Sequence, residues 1–170
     1  SLHPAAHLPG AAQVRVEYQG DVCVITGDYK VAADPLAIPF EPVPCRTLIT
    51  ECTFGLPIYR WPPIEEVVRE IRQWQARNLE RGLGSVLAVY ALGKAQRMQE
   101  LLSSDKSPVI LHPSVVAINR AFIGAGLPLK PFLSSSELSA IPKDATVWQR
   151  ECRNGVRLDA GTWDTATARD

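Results

Sequence analysis

The sequence lacks any CxxC pair: its four cysteines, Cys23, Cys45, Cys52 and Cys152, are irregularly spaced. That excludes a zinc ribbon and a disulfide framework, and leaves idle or buried thiols in a reducing cytoplasm as the expectation. Net charge is also missing, with 18 basic and 18 acidic residues. A broad, unaided electrostatic grip on nucleic acid is therefore excluded, although a local basic groove is not. No apolar run approaches the roughly 20 residues that a membrane-spanning helix needs. No charged-then-apolar leader marks a secretion signal, so a cytoplasmic protein is expected. Histidine is scarce, with His3, His7 and His112 alone, and there is no initiator Met. A polar site candidate appears before any core has been laid down, which reads as a fragment.

What is present supports a packed interior. The apolar fraction is 46% and the charged fraction 21%, ordinary values for one domain or two partial ones. The organising stretch is Cys23-Val24-Ile25-Thr26-Gly27-Asp28-Tyr29-Lys30, a β-branched apolar run that stops at Gly-Asp. Such a run delivers one carboxylate to the rim of a sheet. Upstream, Val14, Val16 and Tyr18 alternate with Arg15 and Glu17, and Gln19-Gly20-Asp21 turns into Val22 to Ile25, which predicts a β-hairpin. Prolines 35, 39, 42 and 44 exclude a helix between Ala32 and Arg46. Thr47 to Thr50 is a further strand, ending at Glu51. His7, Asp28 and Glu51 thus each stand at a strand edge, an oxygen/nitrogen set suited to metal binding or acid/base work.

After Trp61-Pro62-Pro63 the period changes. Ile64, Val67, Val68, Ile71 and Trp74 fall at helical spacing, predicting an amphipathic helix to about Arg81, stopped by Gly82-Leu83-Gly84. Ser85 to Tyr90 reads as a buried strand, Lys94 to Leu102 as a helix, Pro108 to Leu111 as a strand and Ser114 to Gly124 as a third helix. This alternation predicts α/β with a parallel sheet. Ala145 to Trp148 is one more candidate strand. Residues 151–170 are expected to be a disordered tail.

Four segments resemble a known family. His3-Pro4-Ala5-Ala6-His7-Leu8-Pro9-Gly10-Ala11-Ala12 resembles the AGHxLGxA segment of metallo-β-lactamase fold nucleases of the β-CASP branch. Thr26-Gly27-Asp28-Tyr29 resembles their TGD segment. Glu51-Cys52-Thr53-Phe54-Gly55 is similar to their E-S-T-[FY]-G, and Tyr90-Ala91-Leu92-Gly93-Lys94-Ala95-Gln96-Arg97 to their FALGRAQEL run. Gly27 to Lys30 and Phe54 to Pro63 look most like the bacterial ligase-associated DNA exonucleases (mRNA 3'-end processing factor-like).

The resemblance implies a fold of two parts: residues 1–60 from the C-terminal part of a metallo-β-lactamase αββα sandwich, and 61–150 from part of a parallel α/β β-CASP domain. It implies a zinc-dependent phosphodiester hydrolase, a DNA exonuclease of repair, with an RNA-processing nuclease as the alternative inside the family. Two zinc ions would be held with His7 as a ligand and Asp28 bridging, while Glu51 would support a histidine general acid. DNA or RNA and an ATP-dependent DNA ligase are the implied partners, with no membrane. The family's HxHxDH cluster and its two later histidines are absent from this sequence. That keeps open a non-catalytic remnant or a binding module, and it predicts that this chain alone is inactive. Ala6 stands for Gly, Pro9 for Leu and Cys52 for Ser, the last expected as a buried neutral thiol.

The residues alone leave other readings open. His7 is then a loop histidine and Asp28 a turn-capping carboxylate. His3 is structural or solvent-facing. Gly93 and Lys94, opening a helix after a strand, offer free amides and a cation to a phosphate backbone. His112, topping a strand, is a nucleic-acid contact or an ordinary loop residue. Trp61 and Trp74 read as core or interface rather than as stacking platforms.

Overall fold

The computed structural model describes residues 1–103 and 109–137, together with the backbone of two later strands, Thr146–Arg150 and Trp163–Thr167. The chain divides into two compact units, Ser1–Trp61 and Pro62–Asp170.

The first unit is built on a four-stranded sheet in the order β1-β2-β3-β4: Leu2–Pro4, Ala12–Tyr18, Asp21–Ile25 and Thr47–Ile49. β1 and β3 each pair antiparallel with β2, and β4 joins β3 in parallel. The expected hairpin forms through Gln19 and Gly20, whose φ values of 50° and 86° are the left-handed pair a two-residue turn requires. Because side chains alternate across a strand, Gln13 and Val24 are buried on one face while the register aligns Leu2, Val14, Ile25 and Ile49 in a row on the other. That row is 40% to 72% exposed. The proline-rich segment holds no helix and is tied down by side chains. Buried Gln13 donates through Nε2 to Pro4 O at 3.0 Å and Glu41 O at 2.7 Å, and Tyr29 packs its ring on Phe40 at 5.2 Å.

The second unit is an α/β layer structure. Helix α1, Ile64–Glu80, starts immediately after Pro63, where a missing N–H costs nothing, and has Glu65 and Glu66 in its first turn and Arg77 in its last, all favourable to the helix dipole. It ends through Gly82 at φ 69°, with Leu83 N–H donating to Asn78 O at 2.8 Å. β5 (Gly84–Val89), α2 (Lys94–Leu102), β6 (Val109–Leu111), α3 (Pro113–Gly124) and β7 (Phe132–Ser134) follow, then β8 (Thr146–Arg150) and β9 (Trp163–Thr167). The sheet order is β7-β6-β8-β5-β9, every pairing parallel, as the strand–helix alternation predicted.

Leu87, Val89, Ala95, Met98, Val109, Leu111, Val115 and Val116 form the core, with Ile71 and Trp74 of α1 packed against it. Each large side chain of this kind contributes about 1.5–3 kcal/mol when removed from water.

One sequence expectation is corrected and another is borne out. Residues 163–167 are not part of a disordered tail: they form the edge strand β9, paired in parallel along β5. Their polar composition, Trp163-Asp164-Thr165-Ala166-Thr167, hid the strand, since an edge strand satisfies its backbone through one neighbour and needs no apolar run. The faint strand at 145–148 is β8, inserted between β6 and β5. The remainder of 151–170 lies outside the described residues.

Candidate metal-binding and catalytic site

The first unit brings its three candidate residues together at the sheet rim. His7 follows β1, Asp28 follows β3 and Glu51 follows β4, and three backbone links hold those loops in place. Ala5 N–H donates to Ala11 O at 3.1 Å and closes the His7 loop, while Lys30 N–H donates to Ala5 O at 3.0 Å and staples the Asp28 loop against it. Thr26 N–H donates to Ile49 O at 3.0 Å, and the buried Thr26 hydroxyl donates to Gly27 O at 2.8 Å. The same hydroxyl lies 3.4 Å from Thr50 Oγ1, joining the Asp28 and Glu51 loops.

The result is an ion-pair approach of 3.8 Å between His7 Nε2 and Asp28 Oδ2, both solvent-accessible. Glu51 accepts from Thr53 N–H at 2.7 Å. The Thr53 amide, then its hydroxyl, hold the Glu51 carboxyl below its ordinary value, and the charge of His7 adds in the same direction against slight desolvation. Glu51 is therefore held as an anion on the same rim as His7. The sequence reading missed Thr53 and Thr26 as supports. Their signal was available as short hydroxyl residues beside each carboxylate-bearing turn.

An imidazole nitrogen and a carboxylate oxygen on one rim fit as two donors toward zinc. Among the described residues, however, no group of three or more His, Cys, Asp or Glu side chains could hold an ion, so a closed shell does not form from them. Cys52 does not join: it is exposed rather than buried, a correction to the sequence expectation, because the Cys52–Gly55 turn carries it outward from the strand end. Cys23 and Cys45 are half-buried free thiols. His3 is structural, with Nε2 on Ser1 Oγ and Nδ1 on Glu41 Oε1, each at 2.9 Å.

In the second unit, Lys94 and His112 stand at the C-terminal ends of the parallel strands β5 and β6, hence on one edge of that sheet. The amides expected to be free at the start of α2 are not. Gly93 N–H donates to Gln96 Oε1 at 2.7 Å, Lys94 N–H to Leu92 O and Ala95 N–H to Tyr90 O, both at 3.1 Å. A side chain and a tight turn already satisfy what a phosphate would have used. Lys94 Nζ lies 5.6 Å over the Tyr90 ring. His112 caps α3, its Nδ1 accepting from Ser114 N–H at 3.2 Å. A shallow hollow of about 370 Å³ along α1, lined by Glu65, Val68, Arg69, Arg72, Gln73 and Ala76, holds none of the candidate residues.

No family model matches the chain. Individual relatives do. The chain is 32% identical over 137 residues to a probable DNA ligase of Opitutus terrae, covering 78% of this chain and 13% of that protein. It is 32% identical over 124 residues to the transcription termination factor FttA of Lokiarchaeum, covering 65% of this chain and 19% of that one. It is equally identical over 124 residues to endoribonuclease ysh1 of Aspergillus fumigatus, covering 71% and 14%. The chain thus spans less than a fifth of the length of each of these three relatives. With the motif segments in order and the His7, Asp28 and Glu51 loops stapled to one rim, the chain belongs to the β-CASP branch of the metallo-β-lactamase family.

Proposed function

We propose that this chain contributes part of the site of a zinc-dependent phosphodiester hydrolase, most nearly a DNA exonuclease acting in repair. Residues 1–60 are read as part of the metallo-β-lactamase core and residues 61–150 as part of the β-CASP domain. The observation that carries the reading is the 3.8 Å approach of His7 Nε2 to Asp28 Oδ2, on two loops stapled together by Lys30 N–H and Ala5 O. His7 would supply a neutral nitrogen and Asp28 a bridging carboxylate to a pair of zinc ions. When bound, such ions polarise the phosphodiester and lower the pKa of bound water. Glu51, kept ionised by Thr53, would hold a protonated histidine in place. Lys94, beside Gly93 at the sheet edge, is the candidate phosphate-backbone contact, and His112 would contact nucleic acid only through the ring edge not used in its cap.

The similarity to a protein named as a probable DNA ligase supports DNA and a ligase partner. The similarity to proteins named endoribonuclease and RNase J-like supports RNA as the second reading. The absence of a third ligand among the described residues supports the view that this chain alone binds less than one zinc ion and shows no turnover.

Zinc titration followed through the histidine NMR signals tests the proposal. His7 should respond while His3 and His112 do not, and Asp28→Ala should abolish the response. A silent His7 overturns the site. Sustained degradation of DNA by this chain, lost in Asp28→Ala, overturns the inactivity.

A further inference from the structure

The segment after Glu51 carries aromatic residues that the site does not use. Phe54, Tyr59 and Trp61 are 47%, 42% and 56% exposed, so of the two places the sequence offered Trp61, core or interface, the core is ruled out. Their rings are held by one another. Phe54 stands edge-on to Tyr59 at 5.1 Å and to Trp61 at 5.2 Å, while Tyr59 and Trp61 lie within 12° of parallel at 6.5 Å. Two turns make this possible: Gly55 N–H donates to Cys52 O at 3.2 Å, and Tyr59 N–H to Leu56 O at 3.1 Å. A Cβ at Gly55 would meet Cys52 Sγ at 2.2 Å, so a larger residue there would oblige the exposed thiol to rotate away. The exposed guanidinium of Arg60 lies between two of the aromatic residues in sequence.

We propose that Phe54, Tyr59 and Trp61 form a stacking platform for an unpaired base of a single-stranded nucleic acid. This rests on the hydrolase reading and narrows its substrate to strands with unstacked ends. Preformed, half-exposed π-faces suit a base because every base offers a π-face, whereas a paired base has its faces occupied by neighbours. Arg60 supplies a permanent cation for the adjoining phosphate. Glu51 begins the same loop, and its carboxylate is fixed by the amide of Thr53, one residue before Phe54.

The test is fluorescence anisotropy with a labelled ten-nucleotide oligothymidylate, its abasic counterpart and a blunt duplex, all in EDTA so that neither metal nor cleavage contributes. Oligothymidylate should bind about tenfold or more tighter than either competitor. Trp61→Ala and Tyr59→Ala should each remove that preference while leaving abasic binding unchanged, and Trp61→Phe should keep it within about threefold. Wild-type tryptophan emission should be quenched by oligothymidylate and not by the abasic strand, with the difference lost in Trp61→Phe, a readout that survives should the alanine variant fail to fold. Equal binding of based and abasic strands, or a Trp61→Ala variant that only dissolves self-association, overturns the platform. An oligouridylate arm separates RNA from DNA. Because zinc plays no part, a failed platform and a silent His7 are separate results.

Discussion

Ala6 and Gly27 share a backbone φ of 57°, and each immediately precedes a candidate site residue, His7 and Asp28. A left-handed residue reverses the direction in which the chain presents its next side chain, so both are turned at the same kind of corner. Gly27 takes this conformation freely. Ala6, where the family segment has Gly, takes it at a cost, and it is also buried.

Replacing Ala6 by Val should therefore destabilise the first unit by about 2 kcal/mol or more, through β-branching at positive φ and crowding of a closed site. Ala6→Gly should stay within about 1 kcal/mol of wild type, since relief of strain is offset by loss of a buried methyl. Urea denaturation with constant m-values separates the two; equal effects would remove the left-handed turn from the account.

Glu51 gives a pH dependence with a definite sign. Its folded pKa lies below the ordinary 4.5, so the unfolded chain binds the extra proton, and stability rises with pH through that region. The contribution is complete above about pH 4.5 and is lost as pH falls through the folded value. Glu51→Gln should flatten the stability profile below pH 4.5 and leave the neutral region nearly level. An unchanged acid limb would mean that Thr53 does not hold the carboxylate.

A buried amide relay locks the second unit. Gln96 Nε2 donates to Asn119 Oδ1 at 2.9 Å, Asn119 Nδ2 to Gln99 Oε1 at 2.8 Å and Gln99 Nε2 to Lys130 O at 2.6 Å. All three side chains are fully buried. Asn119→Leu keeps the volume but removes one buried hydrogen-bond partner from each glutamine, and should cost about 3 kcal/mol. A loss under 1 kcal/mol in thermal unfolding would show that water replaces the relay.

His112 serves first as the cap of α3. His112→Asn should retain α3, whereas His112→Ala should cost about 1 kcal/mol. If both bind an oligonucleotide as wild type does, the ring has no direct part in nucleic-acid contact.

The elements themselves were readable because each carries its own period. Gln13 to Ile25 alternates and turns at Gln19-Gly20, and α1 packs Ile71 and Trp74 of its apolar stripe against the core. The rim residues were readable in outline as polar residues at strand edges, His7 ahead of one strand and Asp28 and Glu51 each ending another. Cys52 was misread because exposure is not a property of residue type: it sits on a turn closed by Gly55 N–H on its own carbonyl, which leaves it outward. The α2 amides were misread because Gln96 folds back onto Gly93, an internal partner that helix-start chemistry alone does not reveal.

The sequence by itself determined the strands β2 to β6, the helices α1 to α3, the break at Trp61-Pro62 and the identity of the three rim residues, since these follow from local period, turn chemistry and motif. Only the tertiary structure decided that β8 enters between β6 and β5 and that polar β9 closes an edge. It alone decided that Lys30 N–H reaches Ala5 O to set His7 against Asp28. Those are non-local backbone pairings. Their energy comes from groups that every residue carries alike, and side-chain pattern does not encode which distant partner they meet.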